Sequence, residues 1–302
     1  MRSVLVVGTG LMGASIGLAL KAGSFAGEIA GWDARSEELA EALQRGAIDR
    51  ALPSREAVLA TDADIVVLAT PVLPILDWME RLAPVLKPHQ LVTDVGSTKA
   101  EIAAQAQRLF GRSGRAVFLP GHPMAGKESG GAALAEATLF QNAVWLFAPL
   151  PAEREAENPK AGEGKEAEPE SAGAWRETVK GFGARVREMD PRQHDEVCAW
   201  VSHLPQMLST AISALLEDQF AGDAEGMAAV QAIGGRALRE ITRLGSSPYS
   251  MWRDIALTNS EAIAASLWAL EQRLAHVREN LRTPELREEF SRANRFRTAP
   301  RS

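Results

Sequence analysis

The sequence predicts a doubly wound α/β domain followed by an all-α domain, and three observations carry that expectation. Strand-like and helix-like segments alternate from residue 3 to about residue 149. The first strand runs directly into Gly8-Thr9-Gly10-Leu11-Met12-Gly13. From about Pro191 onward the strand signals stop and long helical patterns take over. Alternation of this kind builds a parallel sheet with helices on both faces.

The elements follow in order. SVLVVG is a β-branched and leucine run, as a strand buried on both faces requires. Residues 11–23 carry a helical pattern ending near Gly23, and EIAGWD reads as a second strand. SEELAEALQRGA is an amphipathic helix with Ser36 as its expected N-cap and Gly46 as its stop. ADIVVLATP is a third strand halted by Pro71. ILDWMERLAPVL reads as helix, QLVTDV as strand and KAEIAAQAQRLF as helix. AVFLPG and AVWLFAP are two further strands. Residues 151–173 then hold seven glutamates and three prolines with no Val, Ile, Leu or aromatic residue. Such a segment buries too little to offset its ordering entropy, so a mobile acidic surface insertion is expected there. WRETVKGFGARVREMDP resumes with one more helix and strand. The division is residues 1–190 for the sheet domain and 191–302 for the helices, which are apolar on more than one face and so suit burial against a second subunit.

Composition narrows the function classes. At 302 residues, with 46% apolar and 24% charged residues, the chain is ordinary globular material for two domains. A net charge of −6 argues against a nucleic-acid partner. No apolar stretch approaches the ~18 residues of a membrane span, and MRSVLVVGTG breaks into a glycine turn without a signal-peptide cleavage site. With the single cysteine Cys198 no internal disulfide forms, and a cytoplasmic setting is expected. Neither Cys198 nor the five histidines show metal-ligand spacing, so no metal is expected.

The glycine run is G-x-G-x-x-G in its required strand–turn–helix context. Gly8 permits the tight turn, Gly10 leaves room for a pyrophosphate, and Gly13 lets helix and strand pack closely. Leu11 and Met12 open a helix whose N–H groups face the phosphates. Asp33 follows Gly13 by 20 residues, where an acid binds a ribose 2′-hydroxyl. This favours NAD over NADP, although Arg35 lies close enough to accommodate a 2′-phosphate. The alternative is that the glycines serve only a turn and Asp33 caps the next helix. Thr70 and Pro71 end the third strand beside the expected cofactor cleft of this Rossmann-type domain.

Ligands of open α/β sheets lie beyond the carboxyl ends of the strands. Two polar loops stand there, DVGSTK and HPMAGKESG. His122, in the second, is placed to take a proton from a substrate hydroxyl as hydride leaves the same carbon. Ser97, in the first, can orient that imidazole or hydroxyl. The plain alternatives are a loop histidine capping backbone groups and a serine capping the following helix.

The glycine motif, DVGSTK, HPMAGKESG, HDEVCAWVSHLP and TRLGSSPYSMWRDI occur in this order and resemble the prephenate/arogenate dehydrogenase family of tyrosine biosynthesis. The resemblance covers nearly the whole chain except the acidic insertion. It implies a Rossmann domain joined to a helical dimerisation domain, hence a homodimer through the C-terminal helices. It implies a dehydrogenase that passes hydride from ring C4 of a cyclohexadienol to NAD(P), releases the ring carboxylate as CO2 and leaves an aromatic ring. By the same resemblance His122 accepts the hydroxyl proton and Ser97 orients it. Arg243 pairs with a substrate carboxylate, for which a planar guanidinium is suited. Trp252 closes the pocket, from its own chain or its partner. His194, Asp195 and His203 are as readily structural as catalytic, and Pro205 is expected to kink their helix. Many members carry SHLPH where this chain has SHLPQ. The neutral amide of Gln206 near the substrate side chain therefore leaves prephenate and arogenate both open. Lys127 serves a second carboxylate or is simply solvated, and Glu128 pairs with it or tunes access. Fifty residues follow Trp252 and none precedes the first strand's leader, so neither an appended ACT domain nor a fused chorismate mutase bundle is expected. Competing readings are a β-hydroxyacid dehydrogenase or imine reductase, which place a catalytic lysine or aspartate on an interdomain helix, and an NAD-binding redox sensor without turnover.

Overall fold

The computed structural model describes residues 1–112, 114–150 and 169–299. The sheet domain runs β1 (Ser3–Val7), α1 (Leu11–Ala22), β2 (Glu28–Trp32), α2 (Ser36–Gln44), β3 (Arg50–Ala51), α3 (Arg55–Leu59), β4 (Ile65–Leu68), α4 (Val72–Leu82), β5 (Leu91–Asp94), α5 (Ala100–Phe110) and β6 (Val117–Leu119). Six strands form one parallel sheet in the order β3-β2-β1-β4-β5-β6. The order reverses between β1 and β4, and that reversal opens the crevice where such sheets bind ligands.

Strand alternation divides the core. Val4 and Val6 of β1 pack with Ile16, Leu20, Trp145 and Trp175 on one face. Leu5 and Val7 pack with Ile75, Trp78, Leu82 and Ile102 on the other. Each such fully buried side chain stabilises the fold by about 1.5–3 kcal/mol before entropy is set against it.

Several boundaries differ from the sequence expectation. β3 and α3 fall in 48–60, where two strand residues and five helical ones give too little periodicity to read. Ser36 is the first helical residue of α2, and Arg35 holds the cap position. AVFLPG is not one strand: Pro120 has no N–H to continue the ladder. The chain leaves the main sheet there and starts β7 (Gly121–Pro123), which pairs antiparallel with β8 (Val144–Phe147). β9 (Arg185–Glu188) completes this second, three-stranded sheet. Most of the expected acidic insertion, residues 151–168, lies outside the described residues. Its last four residues do not belong to it, because α6 (Glu170–Gly181) already includes them and buries Ala172 and Trp175 in the core.

The helical part comprises α7 (Pro191–Cys198), α8 (Leu204–Phe220), α9 (Ala224–Ile233), α10 (Gly235–Thr242), α11 (Tyr249–Thr258), α12 (Ser260–Glu279) and α13 (Glu285–Thr298). Asp190 caps α7 by accepting from the N–H groups of Arg192 and Gln193. Ala199–His203 joins α7 to α8 as a π-helical turn. Pro205 explains it, since its ring collides with the carbonyl four residues back and it has no N–H to bond it. Among the described residues, no helix is long and apolar enough to cross a membrane.

Candidate active site

The glycine loop has the geometry its spacing implies. Gly8 adopts φ +94°, a conformation that favours glycine, and a Cβ there would lie 2.5 Å from the Ala69 carbonyl oxygen. A Cβ on Gly13 would lie 1.9 Å from the Gly8 carbonyl oxygen, so α1 packs this closely only with glycine. Gly10 is different: a Cβ would meet only the Arg35 guanidinium, at 4.0 Å. That open space fits a pyrophosphate at the start of α1, beside Leu11 and Met12. Thr70 abuts Gly8 across the crevice, and Pro71 takes the cap position of α4. Asp33 does not cap α2. Its Oδ2 accepts from the Thr9 N–H at 2.7 Å and its Oδ1 from the Arg35 N–H at 2.9 Å. It thus ties the glycine loop to the turn after β2. The Arg35 side chain lies over the same loop, 3.2 Å from Glu38.

His122 sits on β7, at the carboxyl end of the main sheet, and is 8% exposed. Its Nδ1 lies 2.8 Å from His194 Nε2, and His194 Nδ1 lies 2.7 Å from Asp195 Oδ1. The protons along this chain follow from the carboxylate. Ionised Asp195 only accepts, so His194 carries its proton on Nδ1. His194 Nε2 is then a lone pair and accepts from His122 Nδ1–H. His122 Nε2 is left as a lone pair with no hydrogen-bond partner among the described residues. A base needs that tautomer. Burial, reinforced by His194, Lys99 and His203, holds the His122 imidazole well below its ordinary pKa, so it stays neutral.

Two residues that the sequence did not single out build this arrangement. Lys99 is buried, pairs with Asp94 and donates to the Gly121 carbonyl at 2.8 Å, fixing the residue before His122. Burial pushes its ammonium down, and Asp94 and Asp195 oppose that shift. Asn259 donates to the Asp195 carbonyl at 2.8 Å and lies 3.2 Å from His203 Nδ1. Asp195 does not cap its own helix. Its carboxylate accepts from the N–H groups of Lys99 and Ala100 at 2.6 and 2.8 Å, capping α5 across the domain boundary. Ser97 is half-buried and its hydroxyl has no partner among the described residues. It does not cap α5, and Thr98 rather than Ser97 bridges to the helices, through Thr258 at 2.7 Å.

Burial of His203 lowers its pKa to about 4, with His194 adding to the effect and Asp195 opposing it. The unfolded chain therefore takes up a proton that the folded one excludes. Stability is expected to be full above pH 6.5 and to fall as pH drops toward 4, by about 1.4 kcal/mol per pH unit from His203. Urea titrations at pH 7 and pH 5 check this, and His203→Asn is expected to flatten the slope. An unchanged slope in the variant contradicts it.

A cavity of about 440 Å3 lies beyond His203, lined by Gln206, Thr210, Ser247, Tyr249, Trp252 and Arg253 among others. Gln206 uses both ends of its amide. It donates to the Leu244 carbonyl at 2.7 Å and accepts from the Ser247 hydroxyl at 3.1 Å. It thereby holds the turn that carries Arg243. Trp252 packs its ring edge-on to His203, and its buried indole N–H has no partner among the described residues. Arg243 pairs with Glu128, which joins the His122 loop to the helices. Lys127 is not paired with Glu128. It is bound to Glu136 at 2.5 Å and to the Leu134 carbonyl, and so pins its own loop. A wider groove of about 560 Å3, over Ala103, Gln107, Leu150 and Asp190, contains none of these groups. Spacing gave no metal site, yet the fold gathers His122, His194 and Cys198.

Both parts of the chain resemble known proteins. Residues 16–159 match the nucleotide-binding domain of prephenate dehydrogenase, and residues 190–294 match its dimerization domain. The chain is 33% identical over 262 residues to prephenate dehydrogenase of Bacillus subtilis, covering 86% of this chain and 65% of that protein. It therefore spans about two thirds of the length of that curated relative. Its fold is similar to prephenate dehydrogenase of A. aeolicus in complex with hydroxyphenyl propionate and NAD+, at TM-score 0.80 and 27% identity over 98% of this chain and 94% of that one. It is also similar to Synechocystis arogenate dehydrogenase, at TM-score 0.72 and 29% identity over 98% and 99% of the two chains. With both parts of its length matched in order, the chain belongs to the prephenate dehydrogenase family.

Proposed function

We propose that this chain is an NAD-dependent prephenate dehydrogenase, converting prephenate to 4-hydroxyphenylpyruvate. The observation that carries the reading is the hydrogen-bonded series from Asp195 through His194 to His122, which leaves an unpartnered lone pair at the sheet end. NAD, when bound along the Gly8–Gly13 loop, supplies the acceptor for the hydride that leaves ring C4. His122 Nε2 takes the proton of the C4 hydroxyl and returns it to the phenolate oxygen once CO2 has left and the ring is aromatic. The reaction thus needs no net proton from solvent. Ser97, with a free hydroxyl, orients the C4 oxygen. Arg243 holds a substrate carboxylate by displacing or joining Glu128. A redox sensor would have no use for a base held in one tautomer by a second histidine and a carboxylate.

Arg243→Gln is expected to raise KM roughly 10- to 150-fold while changing kcat much less, since a hydrogen bond between charged groups is worth about 1.5–3 kcal/mol. Steady-state kinetics check this, and an unchanged KM removes Arg243 from the site.

The decisive assay offers prephenate and arogenate, each with NAD and NADP, to purified protein and follows reduced nicotinamide. Turnover of prephenate with NAD is expected, and no turnover with either substrate rejects the reading. Arogenate dehydrogenase is the alternative, because the neutral amide of Gln206 leaves the choice between the two substrate side chains open. We also infer a homodimer. Val201, Leu215, Leu257 and Trp268 of the helical part are each at least 60% exposed, an apolar surface suited to a second copy. Sedimentation of the purified chain tests it.

A further inference from the structure

We propose that His122, His194 and Cys198 form a binding site for a thiophilic divalent cation, zinc, and that zinc there silences the base. One ligand atom from each residue lies within 4.8 Å of the other two, and all three residues are buried. His194 and Cys198 stand one turn apart on the same face of α7, and β7 delivers His122 opposite them.

Three features point to a cation of this class. The donor set is two imidazoles and one thiol, which suits zinc and leaves a fourth coordination position open. His194 Nδ1 is held by the Asp195 carboxylate, the outer support that metal-bound histidines need and the contact that leaves Nε2 unprotonated. Cys198 Sγ lies 3.5 Å from His194 Nε2. Tetrahedral zinc, with bonds of about 2.0 Å to nitrogen and 2.3 Å to sulfur, sets its nitrogen and sulfur ligands about 3.5 Å apart. The His122 Nδ1 to His194 Nε2 separation of 2.8 Å must open by about half an ångström, within reach of side-chain rotation.

The consequence for His122 follows from proton bookkeeping. Zinc binds His122 through Nδ1, and the ring proton moves from Nδ1 to Nε2. Cys198 loses its proton to solvent as its sulfur bonds the metal. The imidazole then presents an N–H where the reaction needs a lone pair. Zinc inhibits by inverting the tautomer of the base, without entering the NAD loop or the Arg243 pocket. This inhibition rests on the proposed role of His122, whereas the binding does not.

The test separates the two. Cobalt(II), as the spectroscopic stand-in for zinc, is titrated into metal-free full-length protein in the absence of substrate. The expected result is a thiolate-to-cobalt charge-transfer band saturating at one ion per chain, lost in Cys198→Ala and in the size-matched Cys198→Ser. Magnesium, which seeks oxygen ligands, is expected to give no effect. In the turnover assay zinc is expected to inhibit reversibly by EDTA. Cys198→Ala is expected to keep its metal-free rate within about twofold. Its zinc sensitivity should fall by more than the ~10–100-fold that loss of an outer-shell partner costs. Absence of the thiolate band in the wild-type chain overturns the site. Equal zinc inhibition of wild type and Cys198→Ala overturns the mechanism. Failure of prephenate turnover leaves the cobalt spectrum as the deciding measurement for the site.

Discussion

His122→Asn is expected to lower kcat by roughly 10²–10⁴-fold, the usual contribution of a positioned general base, while the dissociation constant for NAD changes by less than about threefold. The separation follows from placement. His122 stands on β7 in the second sheet, whereas the glycine loop, Asp33 and Thr70 belong to the ends of β1, β2 and β4. Asparagine is polar and smaller than histidine, so β7 and its pairing with β8 are expected to survive. It cannot take up a proton. Loss of turnover together with NAD binding would point to a disrupted fold, and a rate within tenfold of wild type would remove His122 from the chemistry. The wild-type pH profile gives a second check. The base works unprotonated, and His122 is held well below its ordinary pKa, so the acid limb of kcat/KM is expected well below pH 6.5. An acid limb at or above pH 6.5 contradicts the buried, neutral histidine.

The parts of the molecule that depend on local pattern were legible in the sequence. The glycine turn and the βα alternation each rest on a few neighbouring residues, and each has its expected place in the fold. Short elements were not legible, because two residues of β3 carry no period. The passage of the chain from one sheet to another at Pro120 also has no local signature beyond the proline. The site was legible as a set of polar loops, but its internal wiring was not. Asp195 reads naturally as a cap for its own helix, since it stands at a helix start. That task falls to Asp190, and Asp195 caps α5, some 95 residues earlier. Lys99 was visible only as the last letter of DVGSTK, and its burial against Asp94 depends on β7 closing over it. The turn-apart spacing of His194 and Cys198 could have been noticed. Their third neighbour, His122, lies 72 residues from His194 and is joined to it only by tertiary packing.

Asp195→Asn is expected to lower kcat by roughly 10²–10⁴-fold and to destabilise the fold by about 0.5–2 kcal/mol, though it changes one oxygen to an amide nitrogen. The carboxylate accepts three hydrogen bonds. Oδ1 takes the Lys99 N–H and the His194 Nδ1–H, and Oδ2 takes the Ala100 N–H. An asparagine has one accepting oxygen and one donating NH2 group, and both placements fail. With the oxygen at the Oδ1 position, the NH2 group faces the Ala100 N–H, and α5 loses part of its cap. With the amide reversed, the NH2 group faces both the Lys99 N–H, whose cap bond is lost, and His194 Nδ1, which must give up its proton to Nε2. His194 then donates to His122 Nδ1, and His122 is left with its proton on Nε2, aimed at the hydroxyl it has to deprotonate. Both placements lower stability, and the second also removes the base. Each placement costs one cap bond to α5, Ala100 in the first and Lys99 in the second, and neither restores the negative charge that fixes the proton on His194 Nδ1. Denaturant unfolding and steady-state kinetics, measured on the same variant, distinguish the outcomes. A loss of stability with kcat within tenfold of wild type would make Asp195 an interdomain cap and nothing more. A collapse of kcat with NAD affinity kept is the result the proton arrangement requires.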